Sequence, residues 1–397
     1  MNNKIKDFIR KNTILYFWIK SIYYFIKKIK SILLYSLALF PIKNNKLLII
    51  NYCGKGFGDN GKAIINEIIN QNLNYDIVWS IKNNKKNIFP NEVRTVKFNS
   101  FRFFFELITS KIWINNCRMP LYTWKRKKQF YIQAWHGGIA LKKIEKDAKD
   151  RLDKYYIKSA KKDSKMANLF LSNSNFCTNI YKKAFWYDGE ILECGSPRCD
   201  CFFNDKNEVN LRVRKYFDID NNSKILIYAP TFRLNESTEV YNIDFEKLIS
   251  CLENKFNCKW KILARLHPNI SYKHGFIKYT SNIINATNYE DMYDILNISD
   301  ILITDYSSTM FEFSIMHKPV FLYATDIEEY KNDRNFYFNI FNLPYKVAQS
   351  NDELLQLITC FEEKKYLSEL RSFLLKLGIC EYGNASKQVV DIIKKVI

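Results

Sequence analysis

ILITDYSSTMFEFSIMHKPVFLYA (301–324) is the stretch whose reading decides the fold. ILITDYS (301–307) and PVFLYA (319–324) read as strands, and between them TDYSSTMFEF (304–313) runs from strand into helix, with Ser307 and Ser308 at the cap. The apolar runs are continuous rather than alternating, as expected of parallel strands covered on both faces. Working outward, the pattern repeats. KILIYAPTF (224–232) and WKILARLHP (260–268) precede it, and an earlier series lies before a polar stretch near 204–223. That series is KLLIINY (46–52), YDIVWSI (75–81), KIWINNC (111–117), FYIQAW (130–135), LFLSNS (169–174) and EILECG (190–195). Helix candidates at 61–71, 175–185, 244–254 and 289–298 fall between strands. Two such series predict an α/β protein with two Rossmann-like, doubly wound domains, 43–210 and 211–397, facing across a cleft. The 397-residue length suits two domains.

Polar residues gather where a parallel sheet presents ligands, at the carboxyl ends of strands. The strings are AWHGG (134–138), SNSNF (172–176), GSPRCD (195–200), APTFR (229–233), RLHPN (265–269) and TDYSS (304–308). His136 and His267, with Arg198, Arg233, Arg265 and the Ser307–Ser308 pair, point to one anion-binding cleft. Gly137 and Gly138 allow close approach to His136, and an imidazole accepts a proton near neutral pH. A buried structural histidine is the alternative. Lys142, Lys143 and Lys146 follow this loop. His267 reads as a second acid/base group, as a donor to a phosphate oxygen, or as a residue that only orders its loop. Helix-start N–H groups at Ser307–Ser308 bind phosphate, although an ordinary serine cap has the same sequence. His274 and His317 lack such a setting.

In GKGFGDNGKA (54–63), Gly56, Gly58 and Gly61 fit a dinucleotide fingerprint, with Asp76 near the place of a ribose-binding acid. The same loop nearly fits a P-loop, except that Ala63 replaces the hydroxyl residue. Two incompatible patterns in one loop argue for neither, and we read it as lining the cleft on the acceptor side.

The net charge of +20 favours anionic partners: nucleic acid, an acidic bilayer or a phosphate-bearing substrate. No nucleic-acid-binding signature accompanies it, so nucleic acid is not the expected partner. Ten scattered cysteines without a CxxC pair, and only four histidines, exclude a zinc spacing and a disulfide scaffold. They read as reduced, mostly buried cytosolic thiols. No carboxylate cluster has metal-ligand spacing. Residues 1–42 set Lys4, Lys6, Arg10, Lys11, Lys20, Lys27, Lys28 and Lys30 against a single Asp7, interleaved with aromatic and aliphatic residues. The apolar run 31–42 falls short of the roughly 20 residues that span a bilayer. Basic, aromatic and too short to cross is the pattern of amphipathic helices on an anionic membrane surface; a helix packed on its own protein is the alternative.

Taken together and in order, these strings resemble the CDP-glycerol:poly(glycerophosphate) glycerophosphotransferase family of teichoic-acid and capsule biosynthesis. The match runs from about Leu47 to about Asn339. It includes AWHGG with LKKIEKD, SNSNF with AFWYDGEILECGSPRCD, ILIYAPTFR, RLHPN, DILITDYSSTMFEF, KPVFLYATDIEEY and RNFYFN. The family is similar to GT-B glycosyltransferases and attaches to the cytoplasmic membrane face through basic amphipathic helices. The resemblance implies attack of an acceptor hydroxyl, on a lipid-linked or growing surface polymer, at the β-phosphorus of CDP-glycerol or CDP-ribitol. CMP then leaves, with no further cofactor. It implies His136 as the base, His267 close to the pyrophosphate, and Arg265, Ser307 and Ser308 on phosphate oxygens. Gly137, Gly138, Ser172, Arg198, Asp200, Thr231, Arg233 and Asp305 complete the expected substrate-binding set.

Three departures bear on polyol and acceptor identity. Gly138-Ile139-Ala140 stands where many relatives have threonine-proline. Cys199 replaces a common Asn, and Asn339 stands where Asp often closes the FYF motif. A sugar-nucleotide glycosyltransferase uses the same architecture and is the first rival reading; a basic nucleic-acid-binding protein is the second.

Overall fold

The computed structural model describes residues 13–82, 88–233, 238–267, 276–333 and 335–397. His274, Pro268 and Asn269 lie outside them. Seven strands build the first sheet: β1 (Lys43–Ile50), β2 (Asp76–Ile81), β3 (Val93–Lys97), β4 (Ser110–Asn115), β5 (Phe130–Gln133), β6 (Leu169–Ser172) and β7 (Glu190–Glu193). The second holds β8 (Lys224–Tyr228), β9 (Trp260–Ala264), β10 (Ile283–Asn285), β11 (Ile301–Thr304), β12 (Val320–Tyr323) and β13 (Lys346–Ala348). Helices of the first half are α1 (Thr13–Leu37), α2 (Asp59–Asn70), α3 (Phe101–Thr109), α4 (Lys154–Met166) and α5 (Asn175–Ala184). Then come α6 (Asn207–Phe217), α7 (Phe245–Phe256), α8 (Met292–Ile298), α9 (Thr309–Ser314), α10 (Ile327–Asp333), α11 (Asn351–Thr359), α12 (Glu363–Leu377) and α13 (Ala385–Val396).

The strand orders are β3-β2-β1-β4-β5-β6-β7 and β10-β9-β8-β11-β12-β13, and neighbouring strands pair in parallel. Each order reverses direction at its first strand, between β1 and β4 and between β8 and β11. In open α/β sheets ligands bind outside the carboxyl ends at such a switch point. The continuous apolar runs explain the layers. Leu47 and Ile49 face a core with Ile64, Ile65 and Ile68 of α2, while Leu48 and Ile50 face Phe103, Phe104 and Leu107 of α3. In the second sheet Leu226 and Tyr228 pack with Leu248 and Leu252 of α7, and Ile225 and Ile227 face the side of α8 and α9. Helix starts follow local chemistry: Ser100, Asp153, Ser174, Asp244 and Ser350 each accept a backbone N–H three residues on.

The α/β class and parallel sheets agree with the sequence reading, but three edge strands, β3, β10 and β13, went unread. They are short and only partly buried, so they lack a continuous apolar run. The polar stretch near 204–223 holds α6, whose Val213 and Phe217 are core residues. The division at 210/211 gives the last helix to the second half, whereas Val389, Val390 and Ile393 of α13 pack with Leu47 and Ile64 of the first. Of the N-terminal segment, Leu34 and Leu37 are buried with Leu48 and Trp113 of the first half. Among the described residues no helix is long and apolar enough to cross a membrane.

Candidate active site

β5 ends at Gln133, and a left-handed Trp135 (φ 49°) turns the chain so that His136 leaves the sheet edge. His136 Nδ1 lies 2.6 Å from the Asn116 carbonyl oxygen. A carbonyl only accepts, so Nδ1 carries the proton and Nε2 keeps its lone pair. Asn116 is itself clamped: its Nδ2 donates to Asn51 Oδ1 at 2.5 Å, and Tyr52 N donates to its Oδ1 at 2.8 Å. The imidazole sits between Trp135 (4.4 Å) and Tyr52 (5.8 Å between ring centres). Its pKa lies below the ordinary 6.5, chiefly through burial, while the Asn116 bond and Asp59 oppose the shift. At Gly138 a Cβ would meet Asn173 Nδ2 at 2.6 Å, so the Asn173 side chain would have to shift; Gly137 is open, with its nearest neighbour at 3.8 Å. The loop is anchored by Asn60 Nδ2, which donates to the carbonyls of Ala134 and Trp135, and by Arg118, paired with Glu145 and Asp163 beneath Trp135.

His267 follows β9 and is exposed, its ring stacked on Phe232 at 5.7 Å. Partial desolvation of the ring against its neighbours lowers its pKa, and Lys55 and Lys142, both from the first half, lower it further. The two halves join by backbone here: Lys143 N donates to Asn335 O and Tyr337 N to Leu141 O, both at 2.8 Å. The loop after His136 is therefore hydrogen-bonded to the FYF segment. Asn339 caps the turn that follows, accepting from Phe341 N, a task that an Asp performs equally well.

Several expected ligand groups are already engaged. Arg198 is buried and binds Asp59 (3.0 Å) and Glu312 (2.5 Å); Tyr52 and Tyr293 hydroxyls complete the chain on those carboxylates. Burial alone would lower the Arg198 pKa, but Asp59 and Glu312 more than offset it. Asp200 accepts from Ala385 N and Ser386 N, so it caps α13. Ser172 Oγ donates to Ser174 O and accepts from Thr178, inside the protein. Arg233 pairs with Asp305 and Asp326 beside the stacked rings of Tyr306 and Tyr330, and Asp305 also accepts from Thr231 N and Oγ1. Thr231, Arg233, Asp305 and Asp326 thus form one connected polar cluster at the β8/β11 switch point. Arg265 gives one nitrogen to the carbonyls of Ala286 and Tyr289. Ser307 Oγ accepts from Thr309 N, and Ser308 makes no cap bond of its own.

Neither glycine pattern operates in 54–63. The N-terminus of α2 is occupied by the protein's own Asp59, and Asp76 opens β2, at the amino end of the strand, and pairs with Arg94. Sequence reasoning missed Asn116, Tyr52, Asp59, Glu312 and Lys55. The Asn115–Asn116 pair closing an apolar strand was the available signal for the first. All ten cysteines are free thiols; Cys177, Cys194 and Cys199 are buried, Cys360 is exposed and the rest lie between. Among the described residues no three His, Cys, Asp or Glu side chains gather as a metal-binding set.

Two parallel nucleotide-type sheets, each ending in polar loops and bridged by a buried arginine, define a class of two-sheet α/β proteins with a histidine at the strand ends. Within it, the chain belongs to the CDP-Glycerol:Poly(glycerophosphate) glycerophosphotransferase family, whose family model matches residues 33–395. It is 31% identical over 375 residues to a teichoic acid poly(glycerol phosphate) polymerase of Staphylococcus epidermidis, covering 90% of this chain and 51% of that one. The chain thus spans about half the length of that relative. It is 29% identical over 379 residues to the polymerase of the same description from Bacillus spizizenii, covering 92% and 95% of the two chains. A solved structure of the wall teichoic acid polymerase TagF superposes with a TM-score of 0.82 at 28% identity, covering 95% and 96%. A UDP-GlcNAc 2-epimerase from Neisseria meningitidis, 14% identical with a TM-score of 0.51 over 88% of this chain and 100% of that one, shares the fold alone.

Proposed function

We propose that the protein transfers glycerol phosphate from CDP-glycerol to a hydroxyl of a lipid-linked or growing teichoic-acid-type polymer. The two sheets act as paired nucleotide-fold domains closing on the donor. His136 Nε2 removes the acceptor's proton as its oxygen attacks the β-phosphorus. The bond to the bridging oxygen breaks, CMP departs, and a phosphodiester remains. His267, with Arg265 and the Ser307–Ser308 turn, lies on the diphosphate. The single observation carrying this reading is the Nδ1 bond to Asn116 O, which leaves Nε2 as the basic nitrogen of a ring held in fixed orientation. The names of the relatives and of TagF support the substrate class. No step calls for a metal or cofactor.

The protein works at the cytoplasmic membrane face. The exposed Trp18, Ile22, Phe25, Ile29 and Ile32 of α1 enter the headgroup region, and the basic residues pair with anionic lipid.

The test is CMP release from CDP-glycerol by purified protein with membranes. His136→Asn should cut it about a hundred- to ten-thousand-fold, the usual range for a general base. Because the His136 pKa is depressed below 6.5, the accepting form dominates at pH 7. Activity should fall only below pH 6.5. UDP release from a sugar nucleotide, with none of CMP, would instead make the protein a glycosyltransferase. Product masses from CDP-glycerol and CDP-ribitol distinguish the polyols.

A further inference from the structure

The carboxyl ends of the second sheet carry loops of the candidate active site, and its amino ends hold a separate basic pocket. Lys224 opens β8, Asp300 directly precedes β11, and Lys318 stands two residues before β12. A cavity of about 240 Å³ lies among them, lined also by Lys206, the cap residue of α6, and by Asn210 and Arg214 of that helix. The length of β8, five residues at about 3.3 Å each, separates this end of the sheet from the other.

The cations of the pocket outnumber its carboxylates. Among the described residues Asp300 is the one carboxylate of the lining, and it pairs with Lys224 at 2.9 Å and accepts from Ile225 N at 2.9 Å. Lys318 Nζ donates to the carbonyls of Asn297 and Ser299. Arg214 is only 8% exposed; its Nε donates to Asn210 Oδ1, and its Nη1 to the carbonyls of Asp220 and Ser223. Lys206 Nζ meets the Met316 sulfur at 3.9 Å. All of these partners are neutral. Burial brings the Lys318 ammonium down to about 8; Lys206 and Lys224 add repulsion, and Asp300 opposes them. Removing a charge from water without a counter-charge is costly, and a recess with walls of one sign concentrates small ions of the other. Lysines on a convex surface would simply be solvated. Here three cations from distant parts of the chain line one recess.

We propose that this pocket is an accessory phosphate site, which takes inorganic phosphate or a small phosphate ester through Lys206, Arg214 and Lys318, apart from the donor site. Three charges without a carboxylate favour a dianion over chloride, and ammonium and guanidinium donors suit phosphate oxygens. The cavity is smaller than the roughly 300–1,000 Å³ of sites for drug-sized ligands, so it suits a phosphate with a small substituent. The inference does not depend on which nucleotide the donor carries.

The experiment titrates the full chain with inorganic phosphate and with glycerol phosphate, against chloride at equal ionic strength. Phosphate at a hundredfold excess over its Kd should raise the melting temperature by about 3 °C, and chloride should not. Lys206→Met is the cleanest variant, because that ammonium has no oxygen partner to lose. It should weaken phosphate binding about tenfold or more, and Lys206→Arg should keep most of the affinity. Without phosphate, the melting temperature and CMP release of Lys206→Met should match the wild type. The tighter of the two probes identifies the ligand. Equal effects of phosphate and chloride, wild-type affinity in Lys206→Met, or equal losses in the Met and Arg variants would overturn the proposal. Absence of CMP release by the wild type would overturn the donor reading and leave this site standing.

Discussion

Glu381 illustrates how a single side chain responds to its surroundings. It is buried beside Gly195, whose left-handed backbone (φ 92°) leaves room that a Cβ would fill, 2.7 Å from the carboxylate oxygen. Its Oε2 accepts from Ser196 N at 2.9 Å. Burial is the largest influence and pushes the carboxyl from 4.5 up to about 7. The folded state therefore binds this proton more tightly than the unfolded one, and the sign follows by linkage. The carboxyl costs nothing extra below pH 4.5. Stability is lost as pH rises toward about 7 and does not return above it, an effect of about 3 kcal/mol at most. Glu381→Gln should narrow the difference in Tm between pH 5 and pH 8; an identical pH profile would refute the assignment. Nothing near 381 in the sequence announces this, because the groups around the carboxyl come from 173, 195 and 196, and the hydrogen bonds from Ser196 and Asn173 only partly oppose the effect of burial.

At the scale of elements, α1 is the clearest case. Trp18, Ile22, Phe25, Ile29 and Ile32 recur at steps of four and three, so they share one face, and all five are exposed. Leu34 and Leu37, one turn further, are buried under α3. Deleting 1–42 would therefore open the core as well as remove the surface helix. Replacing the five exposed residues by Gln is the cleaner test. Sedimentation with anionic liposomes should be lost while the melting temperature stays within a degree or two, since exposed substitutions typically change stability by about 0.5 kcal/mol or less. Continued sedimentation would mean that the helix is not what holds the membrane. Elements were legible where burial is two-sided: the central strands coincide with their apolar runs. The edge strands β3, β10 and β13 were not, since a partly buried strand has no such run.

Across the whole molecule, the contacts that fasten the halves include the backbone bridge of 141–143 with 335–337, the return of α13, the Lys62–Asp291 pair and the Asp59–Arg198–Glu312 bridge. The last is the most consequential because both its ion pairs are buried. Arg198→Gln would leave two carboxylates without their cation, at a cost of roughly 3–5 kcal/mol. Urea unfolding should show that loss, and adding Asp59→Asn and Glu312→Gln should restore part of it. A loss below about 1 kcal/mol, the scale of an exposed pair, would remove Arg198 from this role and return it to the list of candidate phosphate ligands.

The class of fold, the places of the central strands and the position of His136 at a strand end were determined by the chain alone. Each depends on local facts: continuous apolar runs, cap residues, and glycines flanking a histidine at a strand end. Which carboxylates each buried guanidinium pairs with was decided only in three dimensions. Arg198 meets Glu312 across 114 positions and Arg233 meets Asp326 across 93. A guanidinium's partner is set by who stands opposite it once the sheets have packed, and desolvation makes that choice costly to undo. Arg198 and Arg233, read as ligands in sequence, thus stand in buried ion pairs that only the packed sheets assemble.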